Sequence, residues 1–261
     1  MKLLYLGDIV GKPGRDLVAK HLAKIRLSRD IDVVIAQSEN VSHGKGMSLA
    51  HFNELRSHGV DIFTGGNHTF ERPDNMRLVA DNSRPVTAPG NILKRNFQSY
   101  KIFKYEKKAI FVASIMGTAY PEKINEPFTN QLEFADELVS YISQQKPDLS
   151  IINFHGDLSS QKLTIGHYLD GKVSAVIGDH WHIPSYDHCI LPGGTAHVTD
   201  VGMCGSLNSS LGATFETVIS RWRGKKTKLQ IESEGPMQLN GLLMQFKGAV
   251  CQKVERIRIV D

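Results

Sequence analysis

The sequence predicts a layered α/β protein, built on one mixed sheet or on two sheets sandwiched between helices. Three observations lead there. Short apolar runs alternate with helix-spaced segments through the first half of the chain. Residues from about 225 to 260 instead alternate apolar and polar, as antiparallel strands do. Metal-capable side chains directly follow the apolar runs.

Lys2 to Leu6 reads as a buried strand. Pro13 suits the first turn of a helix, after which Leu17, Val18, Leu22 and Ile25 recur at helical spacing. Asp32 to Ala36 is a second strand. Ser48 can cap a helix carrying Leu49, Phe52 and Leu55, with Gly59 as its stop. Val60 to Thr64 is a third strand and Arg72 to Ala80 a short helix. Residues 81 to 99, rich in Asn, Arg and Pro, read as a surface loop. Tyr100 to Tyr105 and Ala109 to Ile115 are strands. Asn130 to Gln145 is a helix with Leu132, Ala135, Leu138, Val139 and Ile142 on one face. Leu149 to Phe154 and Val173 to Ile177 are again short apolar strands.

With 261 residues and no internal repeat or linker, one domain spanning 1–261 is expected. Charged residues make up 22% and the net charge is only +4, which does not mark a dedicated nucleic-acid binder. The one short basic cluster runs from Arg221 to Lys228. Cys189, Cys204 and Cys251 form no C-x-x-C pair and their number is odd, so reduced thiols are expected. The apolar run Leu3 to Leu6 is too short for a signal peptide, and no stretch approaches the roughly 20 apolar residues that span a bilayer. A cytoplasmic protein with no membrane partner is expected.

The strand ends carry the chemistry. The first strand leads into Gly7-Asp8, the second into Ser38-Glu39-Asn40 and the third into Gly65-Gly66-Asn67-His68. The strand at 149–154 is followed by His155, and that at 173–177 by Gly178-Asp179-His180-Trp181-His182. Such tips lie along one edge of an open α/β sheet, where ligands bind. Carboxylate, amide and imidazole donors suit Zn, Fe, Mn or Ni. Taken singly, Asp8 reads as a cap and Asn67 as a turn residue. His180 and His182 form a His-x-His pair at the strand's end. Gly7 to Lys12 is one residue short of a phosphate loop and continues into Pro13, which excludes that motif. The glycine-flanked His43-Gly44-Lys45-Gly46 reads as a flexible loop that contacts substrate phosphate or forms a plain surface turn. His21, His51, His58, His167, His188 and His197 read as surface or packing residues, and Thr199-Asp200 as pocket lining or a fixed turn.

In order and context, Gly7-Asp8, Gly66-Asn67-His68, His155 and Gly178-Asp179-His180-Trp181-His182 resemble the motif blocks of the calcineurin-like metallophosphoesterases. The chain is more similar still to one bacterial branch, the small 2′,3′-cyclic-nucleotide phosphodiesterases. That likeness lies in Gly7-Asp8-Ile9-Val10-Gly11, Glu39-Asn40, His43 to Gly46, Gly66 to Thr69 and Thr199 to Met203. The resemblance implies an αββα sandwich of four layers, two mixed sheets flanked by helices. It implies two divalent or trivalent metal ions, iron or manganese, with zinc or magnesium as alternatives. Asp8, Glu39, Asn40 and His182 would hold one ion, and Glu39, Asn67, His155 and His180 the other. A bridging hydroxide would attack phosphorus while His68 protonates the leaving oxygen or stabilises the phosphorane-like charge. Val10 stands where the wider superfamily has His, and Ser38-Glu39-Asn40 where it has a Gly-Asp block; both are features of the branch. Asp157 stands where the branch leads one to expect Glu, and Trp181 where it leads one to expect a smaller residue.

The expected partner is a small phosphodiester or nucleotide, with RNA ends and a homo-oligomer as open options. The alternatives are a phosphomonoesterase or nucleotidase on the same site, and a regulatory or RNA-associated protein with a structural metal centre.

Overall fold

The structure is a computed structural model that describes residues 1–92, 98–117 and 128–261. The first sheet contains β1 (Lys2–Leu6), β2 (Asp8–Ile9), β3 (Val33–Gln37), β4 (Ile62–Thr64), β11 (Met203–Ser206), β12 (Met237–Lys247) and β13 (Val250–Val260). Strands β1, β3 and β4 are parallel, whereas β12 runs antiparallel to β1, β11 and β13. The second sheet has the order β5 (Tyr100–Tyr105), β6 (Lys108–Met116), β7 (Leu149–His155), β8 (Ala175–Asp179), β10 (Ala196–Val198), β9 (Cys189–Ile190). Its four inner strands are parallel and its two edges antiparallel.

Burial explains why so many strands are apolar throughout. Leu3, Tyr5, Val33 and Ile35 point from the first sheet toward Ile110, Val112, Leu149 and Ile151 of the second. The alternate residues Leu4, Leu6, Val34 and Ala36 pack under α1 (Gly11–Arg29), α2 (Leu49–Ser57) and α3 (Pro73–Ala80). On the far side, Phe111, Ile152 and Phe154 pack under α4 (Gln131–Gln145) and α5 (Ser159–Tyr168). Three apolar layers between four structural layers give the αββα sandwich. Strands buried on both faces lose the period-2 pattern. Ile151 is fully buried in the inter-sheet layer. Ile151→Ala is expected to cost about 2–5 kcal/mol, read from the urea unfolding midpoint.

Several local expectations shift. Ser48 caps α2 by accepting from His51 N, but Leu49 lies 46% exposed while Phe52 and Leu55 are buried. In α4 the buried stripe begins at Gln131 and Phe134, leaving Leu132 exposed. The C-terminal ribbon starts only at Met237. Residues 225–236 carry an isolated bridge at Ile231 in place of a strand. Residues 93–97 of the expected 81–99 loop lie outside the described residues. Two helices lie outside the expected elements: α5, which has no amphipathic stripe, and α6 (Phe215–Trp222), which has one that is largely exposed.

Candidate metal centre

The parallel strands set the site. With β1, β3 and β4 aligned in one sheet and β6, β7 and β8 in the other, their C-terminal ends open on the same edge. Asp8, Glu39, Asn40, His155 and His182 are buried there, and Asn67, His68 and His180 are partly buried. All eight expected site residues thus sit at one sandwich edge.

Two groups of donors form. In the first, His155 Nε2 lies 3.1 Å from Glu39 Oε1 and 2.9 Å from Asn67 Oδ1. His180 Nδ1 is 3.9 Å from the same Glu39 oxygen. Donor atoms of Glu39, His155 and His180 all fall within 4.8 Å of one another. In the second group, His182 Nε2 lies 3.2 Å from Asn40 Oδ1 and 3.8 Å from Asp8 Oδ1. Asp8 Oδ2 accepts from the backbone N of His180 at 3.3 Å, and Glu39 Oε2 from the backbone N of His68 at 3.1 Å.

The backbone permits this closeness. A Cβ on Gly66 would collide with Glu39 Oε2 and His155 Nε2, so the residue before Asn67 must be glycine. After β8 the chain turns sharply, with φ of 101° at His180 and 63° at His182. That bend, costly for residues with a Cβ, accompanies the placing of His180 beside Glu39 and of His182 beside Asp8 and Asn40.

The charges suit cations. Burial first, then the neighbouring Asp179 carboxylate, pushes the Asp8 carboxyl well above its usual range. Burial is the largest influence on Glu39 and would raise it, but the His155 charge together with hydrogen bonds from His155 and His180 outweighs it and holds the group well below its usual range. For His155, burial disfavours the cation, yet the Glu39 and Asp179 carboxylates raise it well above an ordinary imidazole. Burial lowers His182 to about 4, leaving it neutral. Its Nδ1–H donates to Leu211 O at 2.9 Å, which turns the Nε2 lone pair toward Asn40. Asp8 Oδ1 is buried without a hydrogen-bond partner among the described residues. No lysine or arginine among the described residues pairs with Asp8, Glu39 or Asp179. Buried carboxylates with no lysine or arginine partner among the described residues, facing imidazole and amide donors, fit metal ions.

Sequence reasoning missed the layer behind the donors. Asp179 accepts from Tyr5 Oη at 2.9 Å, Gln37 Nε2 at 2.9 Å and Asn153 Nδ2 at 2.5 Å. Its other oxygen lies 2.7 Å from His155 Nδ1, so this carboxylate fixes which ring nitrogen faces Glu39. The only local mark of its partners is polarity within largely apolar strands, at Tyr5, Gln37 and Asn153. Asp200 lies behind the His180–His182 bend and does not line the cleft. It accepts from buried Lys162 Nζ at 2.9 Å, Trp181 N at 2.8 Å and Gly202 N at 2.8 Å. Trp181 stacks under Lys162 and donates its indole N–H to Asp157 O. The Asp157 carboxylate lies 3.8 Å from His180 Nε2. The His43–Gly46 loop is held by turns, with Gly44 N donating to Asn40 O and Ser42 N to Gly46 O. Asn40 Nδ2 donates to Gly44 O in return.

Two mixed sheets packed between helices, with oxygen and imidazole donors converging on one edge, define a calcineurin-like metallophosphoesterase fold. The family described as YmdB-like protein matches residues 4–257, and the chain belongs to it. The chain is 34% identical over 274 residues to the 2′,3′-cyclic-nucleotide 2′-phosphodiesterase of Bacillus subtilis, covering 100% of this chain and 98% of that relative. It also superposes on a hypothetical protein from Thermus thermophilus with a TM-score of 0.90 and 29% identity, each chain covered in full. A novel phosphatase from Mycoplasma pneumoniae gives a TM-score of 0.90 at 32% identity, covering 100% of this chain and 93% of that one.

Proposed function

We propose that the chain is a metal-dependent phosphodiesterase that hydrolyses 2′,3′-cyclic nucleotides and related small phosphodiesters. The observation that carries this reading is Glu39. Its buried carboxylate faces the His155, Asn67 and His180 donors and lies next to the Asp8, Asn40 and His182 group. Glu39 with Asp8, Asn40 and His182 would hold one cation, and Glu39 with Asn67, His155 and His180 the other. This mixed donor set suits iron or manganese, with zinc or magnesium as substitutes. Such a pair supplies Lewis-acid polarisation of a phosphoryl oxygen and a nucleophilic water at neutral pH.

The chain's own residues do the remaining work. A cleft of about 780 Å³ exposes Glu39, Asn40, His68, His180 and His182 to substrate. His68 sits at its edge and would protonate the leaving oxygen. Asp179 holds the His155 ring in its ligating orientation. Asp179→Asn is therefore expected to weaken metal affinity about 10–100-fold with unchanged circular dichroism, read by metal titration of the stripped protein. The relatedness to a named 2′,3′-cyclic-nucleotide 2′-phosphodiesterase along the whole chain supports the substrate class. Three free cysteines support a reducing, cytoplasmic setting.

The test is hydrolysis of 2′,3′-cyclic AMP and bis(p-nitrophenyl) phosphate beside p-nitrophenyl phosphate and mononucleotides. Activity on the diesters, lost with chelator and restored by manganese or iron, is the expected result. Turnover of monoesters alone would replace this reading with a phosphomonoesterase, which the Mycoplasma relative's description as a phosphatase favours. Diester turnover indifferent to chelator would remove the metal from the account.

A further inference from the structure

We infer that α6 and the basic segment after it form a track that leads a single-stranded polynucleotide into the metal cleft. The substrate class would then be oligonucleotide ends carrying a terminal phosphodiester, which rests on the phosphodiesterase reading above.

Arg221 to Lys228 carries five cations, Arg221, Arg223, Lys225, Lys226 and Lys228, and no carboxylate. All five are exposed. Among the described residues, none of them takes part in a salt bridge. In their midst stands Trp222, 86% exposed. An unburied indole among unpaired cations leaves a large apolar face in water, and a stacked base would cover it.

The track is continuous with the site. Arg221 and Trp222 wall the same cleft as Glu39, His68 and His180. The Arg221 guanidinium is pinned to Thr227 O by Nε at 3.1 Å and Nη2 at 2.9 Å, which ties the start of the basic segment to its end. A cyclic mononucleotide has one phosphate, which the metal centre would engage. It has nothing to offer Arg223, Lys225, Lys226 and Lys228. Successive phosphates of a strand do, and aromatic stacking beside a cationic row is how single strands are held without sequence preference.

Phe215, Ile219 and Trp222 are exposed at i, i+4 and i+7, a stripe that an anionic bilayer or a second copy could also cover. Phe215 and Ile219 do not line the cleft, whereas Trp222 does, and this favours the strand.

The experiment is fluorescence anisotropy of a 5′-labelled ten-nucleotide single-stranded RNA ending in a 3′-phosphate, titrated with the full metal-loaded chain. Lys225→Glu/Lys226→Glu is expected to weaken binding at least about 10-fold at low salt. It should flatten the slope of log affinity against log salt by about 1.4, two phosphate contacts at roughly 0.7 each. Trp222→Ala should weaken binding about 5- to 100-fold, and Trp222→Phe should recover most of it. Equal affinity for wild type and both alanine and charge-reversal variants overturns the inference. So does preferential binding to phosphatidylglycerol vesicles, or loss of a dimer in light scattering in place of loss of RNA. The 3′-phosphate end makes binding independent of turnover. Hydrolysis of 2′,3′-cyclic AMP without RNA binding sinks this inference alone. RNA binding without hydrolysis supports the track and sinks the phosphodiesterase reading.

Discussion

Glu39→Ala is expected to yield protein that retains neither cation and that hydrolyses phosphodiesters at least about 10³-fold more slowly, since metal polarisation supplies several kcal/mol of transition-state stabilisation. The size of the effect follows from position. Glu39 is 1% exposed, and its Oε1 lies within reach of both His155 and His180. Its Oε2 is anchored by the His68 backbone N–H. On the proposed reading it is the carboxylate that serves both donor groups, so its loss would remove a ligand from each. Asp8→Ala would remove a ligand from one group only. Glu39→Gln keeps the volume and one acceptor oxygen but removes the charge. If it also loses metal, the cause is charge rather than a collapsed cavity. Elemental analysis of the purified variants beside circular dichroism separates these outcomes. Two ions per chain retained in Glu39→Ala would end the proposal that this side chain bridges.

The site was easier to read from the sequence than the packing around it. Asp8, Glu39, Asn67, His155, His180 and His182 stand out because each follows an apolar run, and parallel strands make such positions converge. The positive φ values at His180 and His182, by contrast, leave no mark in the sequence, since neither residue is glycine. Leu132 and Leu49 were misplaced because a helix end can turn its first apolar residue to solvent while its neighbours stay buried. Helix α5 gave no amphipathic signal because its buried face includes Lys162, whose ammonium is neutralised by Asp200 rather than by water. Asp179 sits between Gly178 and His180 with nothing in its local sequence to mark a role. Its importance lies in contacts from Tyr5, Gln37 and Asn153, which are 174, 142 and 26 residues away. No local pattern encodes a convergence of that range.

The structure also gives His68 a partner that sequence reasoning did not supply, and this sharpens the expected result for its removal. His68 lies in the 3-10 turn Asn67–Glu71, partly buried at the cleft edge. Its Nδ1 is 2.5 Å from Glu71 Oε1. Burial raises the Glu71 carboxyl, but hydrogen bonds from Lys45 and His68 outweigh it and keep it below its usual range, so it stays ionised at neutral pH. The carboxylate beside Nδ1 orients the ring through that hydrogen bond and leaves Nε2 as the nitrogen available to substrate on the proposed reading. His68→Ala should therefore lower kcat on 2′,3′-cyclic AMP about 10²–10⁴-fold, with metal content and KM little changed. The loss should be much smaller on bis(p-nitrophenyl) phosphate, because nitrophenolate leaves without needing a proton. Glu71→Gln should show the same leaving-group pattern with a smaller loss, since it retains the hydrogen bond but not the charge. Equal losses on both substrates would mean that His68 positions the phosphate rather than protonating the leaving group. Loss of metal from His68→Ala would instead make it part of the Glu39 cradle, through the backbone turn that donates to Oε2.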